Sequence, residues 1–323
     1  MRARRRRAIA CGAAVVVCAV IIAFELHGSA QTTRPPLPAE PLGRAGEAIY
    51  PAFEGWGPLK DGSIVLLLGY YNRNSAQAFD IPVGAENRIE PGGPDFGQPT
   101  RFDPRQSHGI FAIKVPTDFG TKKLTWTLTV NGQTTSVSFW TNPPYWLDFY
   151  KNAATLNEPP VIRFSPDGPT LTGPPVGFAV TLAATVGRPL ALKLWATDVP
   201  ELRPGADDEL ADIRGRGRVV DPVAIVGTQT FGGVAQARGR VERPDVIVTW
   251  KVHRGPGAVT FGSSPVQLFT KRDPKAVVEA SSTATFTTPG EYVLRAQVND
   301  ESGLDGGGDQ CCWTTALVKV TVK

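Results

Sequence analysis

A strict alternation of apolar and polar residues constrains this chain more than any other feature. Between Leu124 and Val130 every second residue is apolar, and the three residues between them are threonines. Successive side chains of a β-strand point to opposite faces, so this pattern predicts a strand with one buried face. Asn131 and Gly132 follow at once, and a second alternating run comes after them. An Asn-Gly pair between two such runs predicts a tight β-hairpin, because both turn residues must accept a positive φ.

The same alternation recurs in the C-terminal half and predicts an all-β fold. It is found in four segments: Leu190–Leu194, Val246–Val252, Tyr292–Val298 and Val318–Val322. No stretch has the apolar spacing of an amphipathic helix. Strands at this spacing predict two antiparallel β-sandwich domains, over residues 50–150 and 151–323. The pattern weakens between residues 198 and 244, which predicts a long insertion in the second sandwich.

The first 30 residues form a leader that predicts export. Five arginines stand among the first seven residues, and residues 8–24 are an apolar run. Small residues at positions 28–30 then resemble a signal-peptide cleavage site. The leader is therefore either a cleaved signal peptide or an uncleaved anchor that contacts the membrane only through residues 8–24. Both alternatives place the chain outside the cytoplasm, secreted or in the periplasm and cell envelope. The proline-rich residues 31–49 are predicted to be a linker.

Charge and motifs argue against two classes of function. The net charge is +4, but beyond residue 30 basic and acidic residues number 29 each, so no basic surface for nucleic acid is predicted. The exported part has two histidines, His108 and His253, which are far apart in the sequence. It has no nucleophile elbow, zinc-protease helix or phosphate-binding loop. We therefore predict a protein without enzymatic activity.

The segment 285–300 resembles the closing hairpin of PKD-type and related immunoglobulin-like domains. It carries the Gly-x-Tyr-x-Leu pattern of that family from Gly290 onward, and Trp250 and the run 317–322 fit the same layout. Residues 69–74 are similar to parts of secreted bacterial proteins of unassigned activity. The resemblance implies that the second sandwich is immunoglobulin-like. It also implies a spacer or binding module in an exported bacterial protein.

The loop after this hairpin carries the candidate metal ligands. Asp300, Asp305 and Asp309 stand among four glycines within residues 299–309. Calcium takes six to eight oxygen ligands, which such a loop can supply. The alternative is a solvated turn, in which Asp and Gly are both common. No cofactor other than this calcium ion is predicted.

Cys311 and Cys312 are the only cysteines beyond the leader, and they are adjacent. Neighbouring side chains of a strand point to opposite faces, so an ordinary disulfide between them is not possible without strain. Three alternatives follow: two free thiols, a strained vicinal disulfide, or a cross-link to another chain. We predict a structural role, because the spacing of redox-active cysteines is missing.

Six aromatic residues lie within residues 139–150. The candidate ligand-binding residues among them are Trp140, Tyr145 and Trp146. Their rings either stack on sugars or pack the connection between the two domains. The sequence as a whole predicts an exported, non-enzymatic binding or spacer protein of the bacterial cell envelope, whose partner is an extracellular protein or glycan. The alternative is an enzyme or a carbohydrate-binding accessory module that acts on extracellular polysaccharide.

Overall fold

The regular structure of the chain consists almost wholly of β-strands. The computed structural model describes residues 43–152, 157–198, 245–269, 276–300 and 313–323. Within these ranges it has seventeen strands and one short 3-10 turn, which confirms the all-β prediction. The predicted signal segment, most of the predicted linker and nearly all of the predicted insertion lie outside the described residues. No helix in the described ranges is long and apolar enough to cross a membrane.

Eight strands form what we call the first β region, residues 43–152. They are β1 (Ile49–Pro58), β2 (Ile64–Asn72), β3 (Phe79–Asp80), β4 (Asn87–Glu90), β5 (Arg101–Phe102), β6 (Arg105–Val115), β7 (Leu124–Val130) and β8 (Gln133–Phe139). They pair antiparallel in three sheets, with the strand orders β1-β2-β6, β4-β7-β8 and β3-β5. The 3-10 turn, Pro143–Tyr145, follows β8.

The β7–β8 hairpin has the geometry that its Asn-Gly pair predicts. Val130 pairs with Gln133, so only two residues form the turn. Asn131 has a φ of 52° and Gly132 a φ of 72°. These values are those of a type I′ turn, whose twist matches the twist of the two strands. The sequence prediction of this hairpin is confirmed.

A large core fills the first β region, with a smaller cluster of Val65, Leu67 and Phe149 beside it, and Trp126 is among the largest fully buried side chains of the large core. Its ring meets Phe111 edge-on, with the ring centroids 5.1 Å apart. Its Nε1 donates to Oδ1 of the buried Asn87 at 3.0 Å. The amide nitrogen of Asn87 donates in turn to the carbonyls of Ile81 and Pro99. The polar atoms that the core encloses here are thus paired, as burial requires.

Nine strands form the second β region, residues 157–323. They are β9 (Val161–Arg163), β10 (Val180–Ala184), β11 (Leu190–Thr197), β12 (Val246–Arg254), β13 (Val259–Phe261), β14 (Val266–Leu268), β15 (Val278–Phe286), β16 (Gly290–Asp300) and β17 (Trp313–Val322). A five-stranded sheet in the order β10-β17-β16-β12-β14 faces a four-stranded sheet in the order β13-β15-β11-β9. One hydrophobic core lies between the two sheets.

The second β region has the strand order of an immunoglobulin-like sandwich. Its four-stranded sheet corresponds to strands A, B, E and D, and the facing sheet is built on strands C, F and G. Trp250 is buried on β12, the position of strand C. Tyr292, at the start of strand F, donates its hydroxyl to the carbonyl of Thr288 at 2.8 Å, which forms a tyrosine corner. Leu294 stands where antibody domains have a disulfide cysteine, so apolar packing joins the sheets here. The immunoglobulin-like prediction is confirmed.

Candidate functional site

The outer face of the five-stranded sheet packs against the first β region, and we call this contact the joint. Arg295 and Gln297 on β16 and His253 on β12 contribute their side chains to it. Gln297 Nε2 donates to the carbonyl of His108 at 2.8 Å. The backbone N–H of Thr100 donates to the carbonyl of His253 at 2.9 Å. Residues 43–323 accordingly form one compact unit with a separate core in each β region. Their division into two sandwich domains stays a prediction.

Arg295 is a buried cation at the centre of the joint, with 4% of its surface exposed. Burial lowers the pKa of its guanidinium, because a charge is poorly solvated inside a protein. Tyr70, Asp103 and Glu54 of the first β region act in the opposite direction and favour the charged form. Burial also raises the pKa of the Tyr70 hydroxyl. The joint therefore holds a positive charge from one β region among polar groups of the other.

His253 is fully buried in the joint and hydrogen-bonds to the first β region as a neutral ring. Its Nε2 lies 2.8 Å from the carbonyl oxygen of Gly97, which can only accept, so Nε2 carries the proton. Burial lowers the pKa of His253 to about 3, so the ring is neutral near pH 7. Its Nδ1 has no hydrogen-bond partner in the described part of the chain. An enclosed ring with so low a pKa is poorly suited to act as a general base.

Arg254, the residue after His253, also bonds to the first β region across the joint. Its two terminal nitrogens contact the two carboxylate oxygens of Asp95 at 2.7 and 3.0 Å. Its Nε donates to the carbonyl of Gln98 at 2.7 Å. The hydrogen bond from Arg254 is the main reason that the pKa of Asp95 is lowered. Bidentate pairs of this kind fix orientation as well as distance.

A cleft of about 750 Å³ lies along the joint. Its wall from the first β region carries Asp80, Arg101 and Asp103, and Lys251 stands on its other wall. Arg101 contacts Asp80 at 2.7 Å and Asp103 at 3.2 Å, and Lys251 Nζ lies 3.4 Å from Asp103. The two cations and two anions thus neutralise one another. This cleft offers paired charges, and neither His108 nor His253 lines it.

His108 is the second histidine that the fold brings to the joint. Its Nδ1 lies 3.0 Å from Oε1 of Glu54, and the other carboxylate oxygen accepts the backbone N–H of Gly109 at 2.6 Å. The Trp313 ring lies 5.7 Å from the imidazole, between ring centroids. Sequence reasoning assigned the two histidines to different domains and did not single out Arg295 or Glu54. The only sequence signal for Arg295 is its polar position within the alternating run of β16.

The three predicted ligand-binding rings differ in exposure. Tyr145 is 48% exposed and Trp146 53% exposed, whereas Trp140 is partly buried against the first core. Lys123 Nζ lies 4.4 Å from the centroid of the Trp140 ring, a cation–π contact. Of the other rings in this segment, Phe149 is buried, as is Phe139. The segment therefore packs with some of its rings and presents Tyr145 and Trp146 to solvent.

The chain that carries Tyr145 and Trp146 is fixed along the edge of β1. Leu147 N–H donates to the carbonyl of Trp56 at 2.8 Å, and Trp56 Nε1 donates to the carbonyl of Asn142 at 2.6 Å. A side chain on Gly57 would collide with the backbone of Leu147, so only glycine permits this close approach. The two exposed rings thus stand on an immobilised segment that covers a sheet edge.

The predicted calcium and cysteine sites fall mostly outside the described residues. Asp305, Asp309, Cys311 and Cys312 all lie there, so their roles stay predictions. Asp300 is buried at the end of β16 and accepts a hydrogen bond from the amide of Asn157 at 2.7 Å. Among the residues that the structure describes, no group of three or more His, Cys, Asp or Glu side chains is placed to hold a metal ion.

Comparison with known proteins gives only remote likenesses. No protein-family model matches the chain, and no curated protein sequence matches it. Among solved structures, the D00-D0 domain of intimin is similar over 85% of this chain and all of its own length, with 12% identity and a TM-score of 0.24. Domains 4 and 5 of the S-layer protein SbsC are similar over 85% of this chain and 98% of theirs, with 11% identity and a TM-score of 0.18. At such TM-scores the fold assignment depends on the strand order, Trp250 and the tyrosine corner rather than on these likenesses.

Proposed function

We propose that this protein is an exported, non-enzymatic binding module of the cell envelope that contacts a glycan through Tyr145 and Trp146. The observation that carries the proposal is the exposure of two neighbouring large rings on a segment fixed to β1. Ring faces stack on the apolar faces of sugars, and immobilised rings lose little conformational entropy on binding. The leader of residues 1–30 supports export.

The polar surroundings of the two rings favour a glycan over an apolar protein surface. Asn142 precedes the segment that carries the two rings, and Asp148 lies at the surface just after it. Sugars present hydroxyl groups around their apolar faces, so they need polar neighbours beside the ring. A protein partner would instead favour a broad apolar patch. We therefore assign the ligand class as glycan.

We propose in addition that the protein is a rigid spacer, and the joint supports this role. Buried Arg295 and His253 and the Arg254–Asp95 pair tie the two β regions together at several points. A catalytic role for His253 is not favoured, because the ring is enclosed and burial lowers its pKa to about 3.

Binding to polysaccharides tests this proposal directly. The purified protein is incubated with insoluble cell-wall polysaccharides and screened on a glycan array, together with Tyr145→Ala and Trp146→Ala. Each substitution should weaken binding about tenfold, as expected for a ring at the centre of a contact. Tyr50→Ala is the matched control, because it removes a ring of similar exposure, 43%, from β1 itself and not from the segment that carries Tyr145 and Trp146.

Two results would contradict the proposal. Glycan binding that survives both ring substitutions would show that the rings are not the contact surface. A correctly folded protein that binds no glycan in either format would show that the ligand class is wrong.

A further inference from the structure

Strand β10 stands at one end of the five-stranded sheet. Its neighbour on one side is β17, with which it pairs in parallel from Val180–Val318 to Ala184–Val322. On its other side no strand pairs with it in the described ranges. A strand in this position presents a row of backbone hydrogen-bonding groups to solvent.

The hydrogen bonds to β17 show which backbone groups of β10 face outward. The carbonyl of Ala184 accepts the N–H of Lys323 at 3.0 Å, and the N–H of Val186 donates to the carbonyl of Lys323 at 2.9 Å. Successive residues of a strand direct their backbone groups to alternate sides. The N–H and C=O groups of Thr181 and Ala183 therefore point away from β17, toward the open side.

Several other sheet edges of the described chain are covered or short, although β8 also pairs on one side only. The N–H of Leu147 bonds β1 at Trp56, and the Gln297 side chain bonds β6 at the carbonyl of His108. Ile162 and Leu171 exchange two backbone hydrogen bonds along β9. Strands β13 and β14 are also edges, but each is only three residues long. Short or covered edges are the usual protection against unwanted strand pairing.

β10 lacks the features that protect an exposed edge. No charged residue occurs between positions 168 and 187, and the strand itself contains no proline. Phe178, just before the strand, is 55% exposed, and Val186, just after it, is 37% exposed. Lysine and proline are common means of blocking strand addition, and neither occurs in β10.

We propose that β10 pairs antiparallel with β10 of a second copy of this chain, about a two-fold axis through Leu182. The outward groups of Thr181 then meet those of Ala183 in the other copy, which forms four backbone hydrogen bonds across the axis. The same register brings Phe178 opposite Val186 of the other copy, so the exposed apolar residues cover one another. An uncharged strand meets its own copy without like-charge repulsion, and the exposed Phe178 and Val186 find apolar partners in that copy, so we assign the occupant as a second copy. Two five-stranded sheets become one of ten strands.

Sedimentation equilibrium of the purified full chain over a range of concentrations tests the proposal. The wild-type protein should pass from monomer to dimer as its concentration rises. Thr181→Pro removes only an outward N–H, so it should spare the β17 ladder while raising the dimer dissociation constant about thirtyfold. Ala183→Lys brings two like charges near the axis and should weaken the dimer about tenfold. Ser136→Lys, on the exposed face of β8, is the control and should dimerise like the wild type.

Cysteine cross-linking tests the register. Paired Thr181 and Ala183 would have Cα atoms about 5.5 Å apart, within the range of a disulfide, while identical positions would be diagonal, at about 7–8 Å. A mixture of Thr181→Cys and Ala183→Cys chains should therefore form a 181–183 disulfide on mild oxidation, identified by peptide mapping. Neither variant alone should exceed the parent chain in cross-linking. The proposal is wrong if the protein is monomeric at all concentrations. It is equally wrong if folded Thr181→Pro and Ala183→Lys chains dimerise like the wild type, or if only the single variants cross-link.

Discussion

Replacement of Arg295 by methionine should show how strongly the joint couples the two β regions. Methionine keeps much of the length of the side chain but removes its charge and its five N–H donors. Arg295 is almost fully enclosed, and Glu54, Asp103 and Tyr70 of the first β region favour its charged form. The substitution therefore removes one charge from a buried set and leaves the others in place.

The loss of unfolding free energy depends on the partners that Asp103 and Glu54 keep after the substitution. Removal of one charge from a group of buried opposite charges costs up to about 3–5 kcal/mol when the others stay buried without compensation. Asp103 keeps Arg101 and Lys251 at 3.2 and 3.4 Å, and Glu54 keeps His108 and the N–H of Gly109. We therefore expect a loss at the lower end, about 3 kcal/mol. Glu54→Gln in the Arg295→Met background should recover part of this loss, since it removes one of the negative charges that Arg295 offsets in the wild-type chain.

Urea denaturation followed by tryptophan fluorescence measures these differences. Lys319→Met is the matched control, because Lys319 stands on the neighbouring strand β17 and makes an exposed ion pair with Glu291 at 3.0 Å. A solvent-exposed pair contributes little to stability, so the control should stay close to the wild type. If Arg295→Met costs no more than Lys319→Met, the joint does not depend on a buried charge and the reasoning above is refuted.

Three further substitutions test separate parts of the structure. Tyr292→Phe should lower the free energy of unfolding by about 1 kcal/mol, the value of one hydrogen bond, measured by urea denaturation. Gly57→Ala should displace the segment at Leu147 and reduce glycan binding without affecting the second core, as binding assays and thermal melts can show. His253 has a pKa of 6.5 when unperturbed and about 3 in the folded chain, so the unfolded chain binds more protons between these values. Stability should therefore fall as the pH is lowered from about 6.5 toward 3, by up to about 1.4 kcal/mol per pH unit for this group. His253→Gln, whose amide can still donate to Gly97, should flatten this slope, and an unchanged slope would show that His253 does not titrate in this way.

The strands were predictable because they are specified locally. The alternation from Leu124 to Val130 and the turn residues Asn131 and Gly132 identify a hairpin without reference to the rest of the chain. Tyr292 and Trp250 likewise indicated an immunoglobulin-like domain through a short pattern, and the strand order agrees. In these elements the local preference and the final packing favour the same structure.

The joint was not predictable, because its residues are polar at positions where a strand normally faces water. Arg295 and Gln297 lie on the outward side of β16, and the alternation predicts that side to be solvent-exposed. Only the docking of the first β region buries them, and that contact joins residues about 190 positions apart, such as His108 and Gln297. The division of the aromatic segment into buried and exposed rings depends on the same kind of long-range contact, here with the edge of β1.

The distance between the two β regions in solution tests most directly whether they form one rigid body that carries the exposed rings. Spin labels at Ser136 on β8 and Thr260 on β13, both exposed, would measure it by pulsed electron paramagnetic resonance. If the joint is rigid, the wild-type chain should give a single narrow distance distribution, and this distribution should broaden in Arg295→Met. A broad or multimodal distribution in the wild-type chain would show that the two β regions move independently and would contradict this account.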